Sequence, residues 1–213
     1  MKKLILSAVV SCSMLCMCAQ PNVKLPAPAK KGGKDVVESL WARRSGTEFS
    51  SKMLTDQDLS NLLFSAIGIN REDGRLTSPT ARNMQEIRVF VFTAEGVSEY
   101  MNKENSLRPI VKGDYRQLIA AHQDWVKQAP LSLLIVADET KFGSNNERSK
   151  TMMALDAGIV CENINLFCAG TGLVTRPRAS MDEAGIKSLL GFDDTITLLL
   201  NNPIGYPKDS EKK

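Results

Sequence analysis

A single histidine, His122, serves a chain of 213 residues. That scarcity excludes metal centres built on several imidazoles, and no Ser-His-Asp or Cys-His constellation stands out around His122. No paired-carboxylate constellation takes their place. Cysteine is nearly absent beyond the start: Cys12, Cys16 and Cys18 fall within the first 18 residues, leaving Cys161 and Cys168. Those two lie seven positions apart on one predicted helix, so at about 1.5 Å per residue their Cα atoms are roughly 10 Å apart, too far for a disulfide. Two buried free thiols are expected, and no metal site. An excess of one charge is also missing. The formal net charge is +3, and it falls to +1 without residues 1–19, which hold Lys2 and Lys3 and no acid. Nothing in that balance calls for a nucleic-acid partner.

Residues 4–17 are largely apolar but too short and too interrupted for a comfortable membrane span. With Lys2 and Lys3 ahead and small residues up to Ala19, residues 1–19 read as a secretory signal peptide, giving an exported, periplasmic protein. The alternative is a lipoprotein: Val9-Val10-Ser11-Cys12 has the form of a lipobox, with Cys12 as the lipid-modified anchor. No twin arginine accompanies the signal, so a cofactor would be acquired after export. Residues 20–35 hold three prolines, two glycines and four lysines, the composition of a flexible linker. Residues 36–207 form one domain of ordinary length, and 208–213 a frayed tail.

Inside the domain, residues 36–43 read as a helix with Val37, Leu40 and Trp41 on its apolar side. It delivers Arg43-Arg44-Ser45, two bidentate donors and a hydroxyl that suit a phosphate. Residues 54–67 make an amphipathic helix, N-capped by Thr55 and ended by Gly68. Residues 74–85, GRLTSPTARNMQ, form a turn-rich loop before an apolar strand at 87–93. A second short strand after Gly96 leads through a turn to a helix beginning near Asp114, and 131–138 read as an interior strand. The longest periodic stretch, 149–177, is a helix stopped by Gly170 and Gly172. Its Met153, Leu155, Gly158, Ile159, Asn163, Leu166 and Ala169, with apolar residues opposite, predict burial on nearly all sides. A short extended exit at 173–175, a helix at 181–190 and a strand at 195–200 follow.

Four motifs, in order, resemble the FMN-dependent nitroreductase family. They are Arg43-Arg44-Ser45 ending in Phe49; the Pro79-Thr80-Ala81-Arg82-Asn83-Met84-Gln85 run; Asp-Ala-Gly, Glu-Asn-Ile and Gly-Thr-Gly-Leu along 156–173; and the closing Ile204-Gly205-Tyr206-Pro207. The order Gly-Asp, Gln-x-Trp-Val, Ala-Pro and Ala-Asp through 113–138 is similar to the short branch that includes SagB-type azoline dehydrogenases (ThcOx-like).

The resemblance implies an α+β fold, a mostly antiparallel sheet flanked by helices, with the long central helix at a homodimer interface and FMN between subunits. It assigns the cofactor to Arg43, Arg44, Ser45, Thr47, Pro79, Thr80, Asn83 and Gln85, with backbone N–H groups at Ala179 and Ser180 towards flavin N5 and O4. Thr47 stands where many relatives carry lysine or arginine. Tyr115, Trp125 and Asp138 are read as structural. The implied function is FMN-dependent oxidoreduction, with hydride passing through flavin N5 to or from a small organic substrate such as a nitroaromatic, quinone or azoline; no side-chain acid or nucleophile is required. NADH or NADPH is the usual family donor, and export points to a different donor or to the oxidative direction. The alternative is a flavin- or heterocycle-binding protein without turnover.

Overall fold

The computed structural model describes residues 20–143 and 146–208; the signal and lipobox expected at 1–19, and most of the tail, lie outside the described residues. In chain order the elements are β1 (Val23–Lys24), α1 (Val36–Ala42), α2 (Asp56–Ile67), β2 (Ile87–Thr93), β3 (Gly96–Met101), β4 (Ser106–Lys112), α3 (Arg116–Ala120), β5 (Leu131–Asp138), α4 (Glu147–Thr171), β6 (Val174–Thr175), α5 (Glu183–Leu190) and β7 (Ile196–Gly205). The strands form one antiparallel sheet in the order β1-β4-β3-β2-β5-β7-β6. The class is α+β, as the motifs implied.

Helices cover both faces of this sheet, which is why its central strands read as continuous apolar runs. On one face Val89, Val91, Leu133 and Ile135 meet Leu62, Leu63 and Ala66 of α2 and Met153, Val160 and Ile164 of α4. On the other, Phe90, Phe92, Leu134 and Val136 meet Ile119 of α3 and Ile186 of α5. Local signals set the helix ends where expected: Thr55 accepts the Asp58 N–H, and Gly172, at φ 74°, ends α4.

Four expectations need correction. The linker is not loose: Val23–Lys24 pairs with β4, Leu25 is buried, and Ser60 Oγ donates to Pro26 O at 2.6 Å. The turn expected after β3 is instead strand β4, whose Pro109 is tolerated because only the two-residue β1 borders its outer side. The helix at α1 forms, but Val36, Val37, Leu40 and Trp41 face solvent in the single chain, Trp41 at 88%. Nor is α4 buried all round: Met153, Ala157, Val160, Ile164 and Cys168 turn inward, while Leu155 (56%) and Ile159 (38%) lie bare.

Candidate functional site

Arg43 and Arg44 owe their position to how α1 is held. Asp35 and Glu38 form a reciprocal capping box at its start. Lys34 N–H donates to Gly170 O at 2.8 Å, and α1 lies so near the end of α4 that a Cβ on Gly170 would come 2.6 Å from Ser39 Oγ. The chain leaving α1 then runs beside β6, where Ser45 bridges Thr175 and Gly46 N–H donates to Thr175 O at 3.1 Å. A cavity of about 430 Å³ opens there, with Lys34, Arg43, Arg44, Asn165, Leu173 and Thr175 in its lining. Among the described residues neither guanidinium of the arginine pair has a hydrogen-bond or ion-pair partner. Two exposed, uncommitted cations on one concavity give it a positive potential.

Beneath this cavity is a buried polar network. Asn202, fully buried, donates through Nδ2 to Asn165 Oδ1 and to Thr175 Oγ1, both at 3.2 Å, and accepts from the Cys161 thiol at 3.2 Å. Burial pushes the Cys161 thiol up to about 11, and burial pushes Cys168 higher still. Both thiols stay protonated, so neither serves as a nucleophile.

The loop at 74–85 is tied down by α4. Asn163 Nδ2 donates to Ser65 O at 3.1 Å and to Thr77 O at 3.4 Å, and Asp156 Oδ2 accepts the Ala81 N–H at 2.7 Å. Arg82, Asn83 and Gln85 all have left-handed backbone, with φ of 54°, 57° and 51°. Three such residues close together are strained, and Asn83 tolerates the region best. Gln85 is consumed locally: its N–H reaches Thr80 Oγ1 at 2.9 Å, and its Nε2 donates to Gly74 O at 3.1 Å and Asn83 Oδ1 at 3.2 Å. Asn83 is exposed on a cleft of about 590 Å³ that Arg88, Asp138 and Lys141 also line.

Ala179 and Ser180 are exposed and follow a firmly held residue. The Arg178 guanidinium donates to Ile119 O, Ala120 O, Asn201 Oδ1 and Gln123 Oε1, and Asn201 Nδ2 donates to Ser180 O at 3.1 Å. Burial, with the charge of Arg176, lowers the Arg178 pKa. Trp125 lies between the Phe49 ring, 6.3 Å away, and the Arg176 and Arg178 guanidiniums, each at 5.7 Å.

The sequence-derived site is thus split within one chain. Arg43 and Arg44 share one cavity, Asn83 and Gln85 another, and Ser45, Thr47, Pro79, Thr80, Ala179 and Ser180 line neither. The loop is tied at Asp156 and α1 at Gly170, fourteen residues apart on α4, or about 21 Å at the helical rise. Sequence reasoning overlooked the anchoring role of Asp156 and Asn163. The signal was present: Asp156 and Asn163 lie seven positions, about two turns, apart on one side of α4.

The nitroreductase family model matches residues 40–206. The chain belongs to the nitroreductase family, a family of oxidoreductases. A provisionally named nitroreductase of Methanocaldococcus jannaschii is 28% identical over 176 residues, 78% of this chain and 88% of that protein. The crystal structure of another provisionally named nitroreductase, from Ralstonia eutropha, matches at TM-score 0.83 and 28% identity, covering 89% of this chain and 91% of that one. The NADPH:FMN oxidoreductase of Vibrio harveyi, solved with NAD+, shares the fold at TM-score 0.63 and 18% identity, over 82% of this chain and 69% of that one.

Proposed function

We propose that the protein is an exported, homodimeric, FMN-dependent oxidoreductase acting on a small organic substrate of the nitroaromatic, quinone or azoline kind. The observation that carries this reading is the uncommitted pair Arg43 and Arg44 at the mouth of the cavity beside β6. Their donor chemistry fits a phosphate monoester, with Lys34 adding a third cation to the lining. Asn83 offers a donor and an acceptor together, as the imide edge of a flavin needs.

When bound, FMN would supply hydride transfer through N5. The chain's own part is to hold and orient. Arg43 and Arg44 would hold the phosphate, Asn83 would fix the ring edge, and the backbone at Ala179 and Ser180 would supply donors. Arg178, secured at four acceptors, keeps that backbone in place.

A second copy reunites the halves of the site. Ala154, Leu155, Gly158 and Ile159 form an exposed stripe of small and apolar residues on α4, and α1 adds Val37, Leu40 and Trp41. Two α4 helices packed antiparallel about a two-fold axis set the Asp156 half of one against the Gly170 half of the other. The 80–85 loop of one protomer then approaches the arginine pair of its partner.

An absorbance spectrum of the purified protein tests the reading. Oxidised-flavin bands, bleached by dithionite and restored by a quinone, are expected. A protein that stays colourless after incubation with excess FMN overturns it. Bound flavin that no donor reduces supports binding without turnover instead. NADPH is expected to be a weak donor, consistent with export beyond the nicotinamide pool.

A further inference from the structure

Glu86 closes the 80–85 loop and leads into β2, and it is fully buried with neither carboxylate oxygen hydrogen-bonded. Its neighbour within the same chain is Asp156 of α4, which is also buried. Two ionised carboxylates cannot share a dry site without repulsion, whereas one proton between them supplies the missing donor. Asp156 already accepts the Ala81 N–H at 2.7 Å, whereas neither oxygen of Glu86 has a donor, so a proton held on Glu86 relieves the larger deficit.

The other charged groups near Glu86 in the chain and in the adjoining elements are committed elsewhere. Arg82 lies over the Phe142 ring, and Arg88 pairs with Glu99 at 2.7 Å. Asp138 of β5 gives its N–H to Glu86 O and uses its carboxylate on Thr140, while Glu139 accepts from Thr197 Oγ1. Asp156 is therefore the charge that Glu86 meets.

We propose that Glu86 and Asp156 hold one proton between them and act as positioning residues for the 80–85 loop, keeping it against α4 while the proton is present and loosening it when the proton leaves. The assignment of that loop to a cofactor rests on the function proposed above; the latch itself does not. The three left-handed residues of the loop give it a reason to spring, and the Ala81 to Asp156 bond is the tie that restrains it. Burial, then the neighbouring Asp156, pushes the Glu86 carboxyl up to about 7. The latch thus opens across the neutral range.

Amide hydrogen exchange of the purified protein, without added flavin and corrected for intrinsic rates, tests this at about pH 6 and about pH 8. Protection over residues 81–85 is expected to fall at least about tenfold between them. Glu86→Gln, which keeps a donor towards Asp156, should hold the lower-pH protection at both values. Asp156→Asn should move the step towards the ordinary carboxylate range, and it keeps the proposal testable if the first variant folds poorly. A flat wild-type profile, or the same step in wild type and Glu86→Gln, overturns the proposal. FMN titration by fluorescence quenching at both pH values separates the two readings. A protection step without FMN binding upholds the latch and removes the cofactor assignment, and FMN binding without a step does the reverse.

Discussion

Gly46 lies so close to Val174 that a Cβ on it would sit 2.4 Å from Val174 Cγ1. No real pair of carbons holds that distance, and valine has little rotamer freedom with which to yield. Gly46→Ala is therefore expected to push the Arg43 to Ser45 segment off β6. The cost is about 1–3 kcal/mol of stability in urea unfolding, with weaker FMN binding alongside.

The arginine pair gives the opposite separation of effects. Both side chains are exposed and uncommitted, so Arg43→Ala with Arg44→Ala should leave the flavin-free melting temperature nearly unchanged. FMN affinity should drop at least about tenfold, about 1.4 kcal/mol, in a fluorescence titration. Unchanged affinity would place the phosphate elsewhere.

Charges on the bare stripe of α4 should prevent dimer formation without unfolding the chain. Leu155→Glu with Ile159→Lys removes apolar surface that already faces solvent in the single chain. Light scattering is expected to read a monomer with unchanged circular dichroism. Because the two halves of the proposed site are tied to α4 about 21 Å apart, that monomer should not retain flavin.

Glu86 also makes stability depend on pH, with a definite sign. Its carboxyl titrates near 7 in the folded protein, raised from 4.5 by burial and by Asp156. The native state therefore binds more protons than the unfolded chain between those values, and stability falls as pH rises through that window. Above it Glu86 is ionised in both states, and its contribution becomes flat. Glu86→Gln should remove this part of the slope, measured as urea midpoints across the pH range.

Much of this architecture could be read in advance, and the reason is local. Thr55 caps α2 through a hydrogen bond three residues away, and the apolar runs at 87–93 and 131–138 are strands because both faces are covered. The ordered motifs likewise singled out Arg43, Arg44 and Asn83 as candidates. What escaped depends on distant partners. Leu25 is buried because the chain meets β4 about eighty positions later, and β4 is a strand because β3 pairs with it despite Pro109.

The sequence alone determined the family, the main helices, the central strands at 87–93 and 131–138, and the residue types suited to a phosphate, since these follow from motifs and short-range patterns. Only the tertiary structure decided that the candidate residues fall into two separate clusters, and that Glu86 is buried against Asp156. The same apolar periodicity fits a helix enclosed all round or one with a bare side. Which it is depends on what the rest of the chain covers, and here α1 and α2 leave the Leu155 and Ile159 side open.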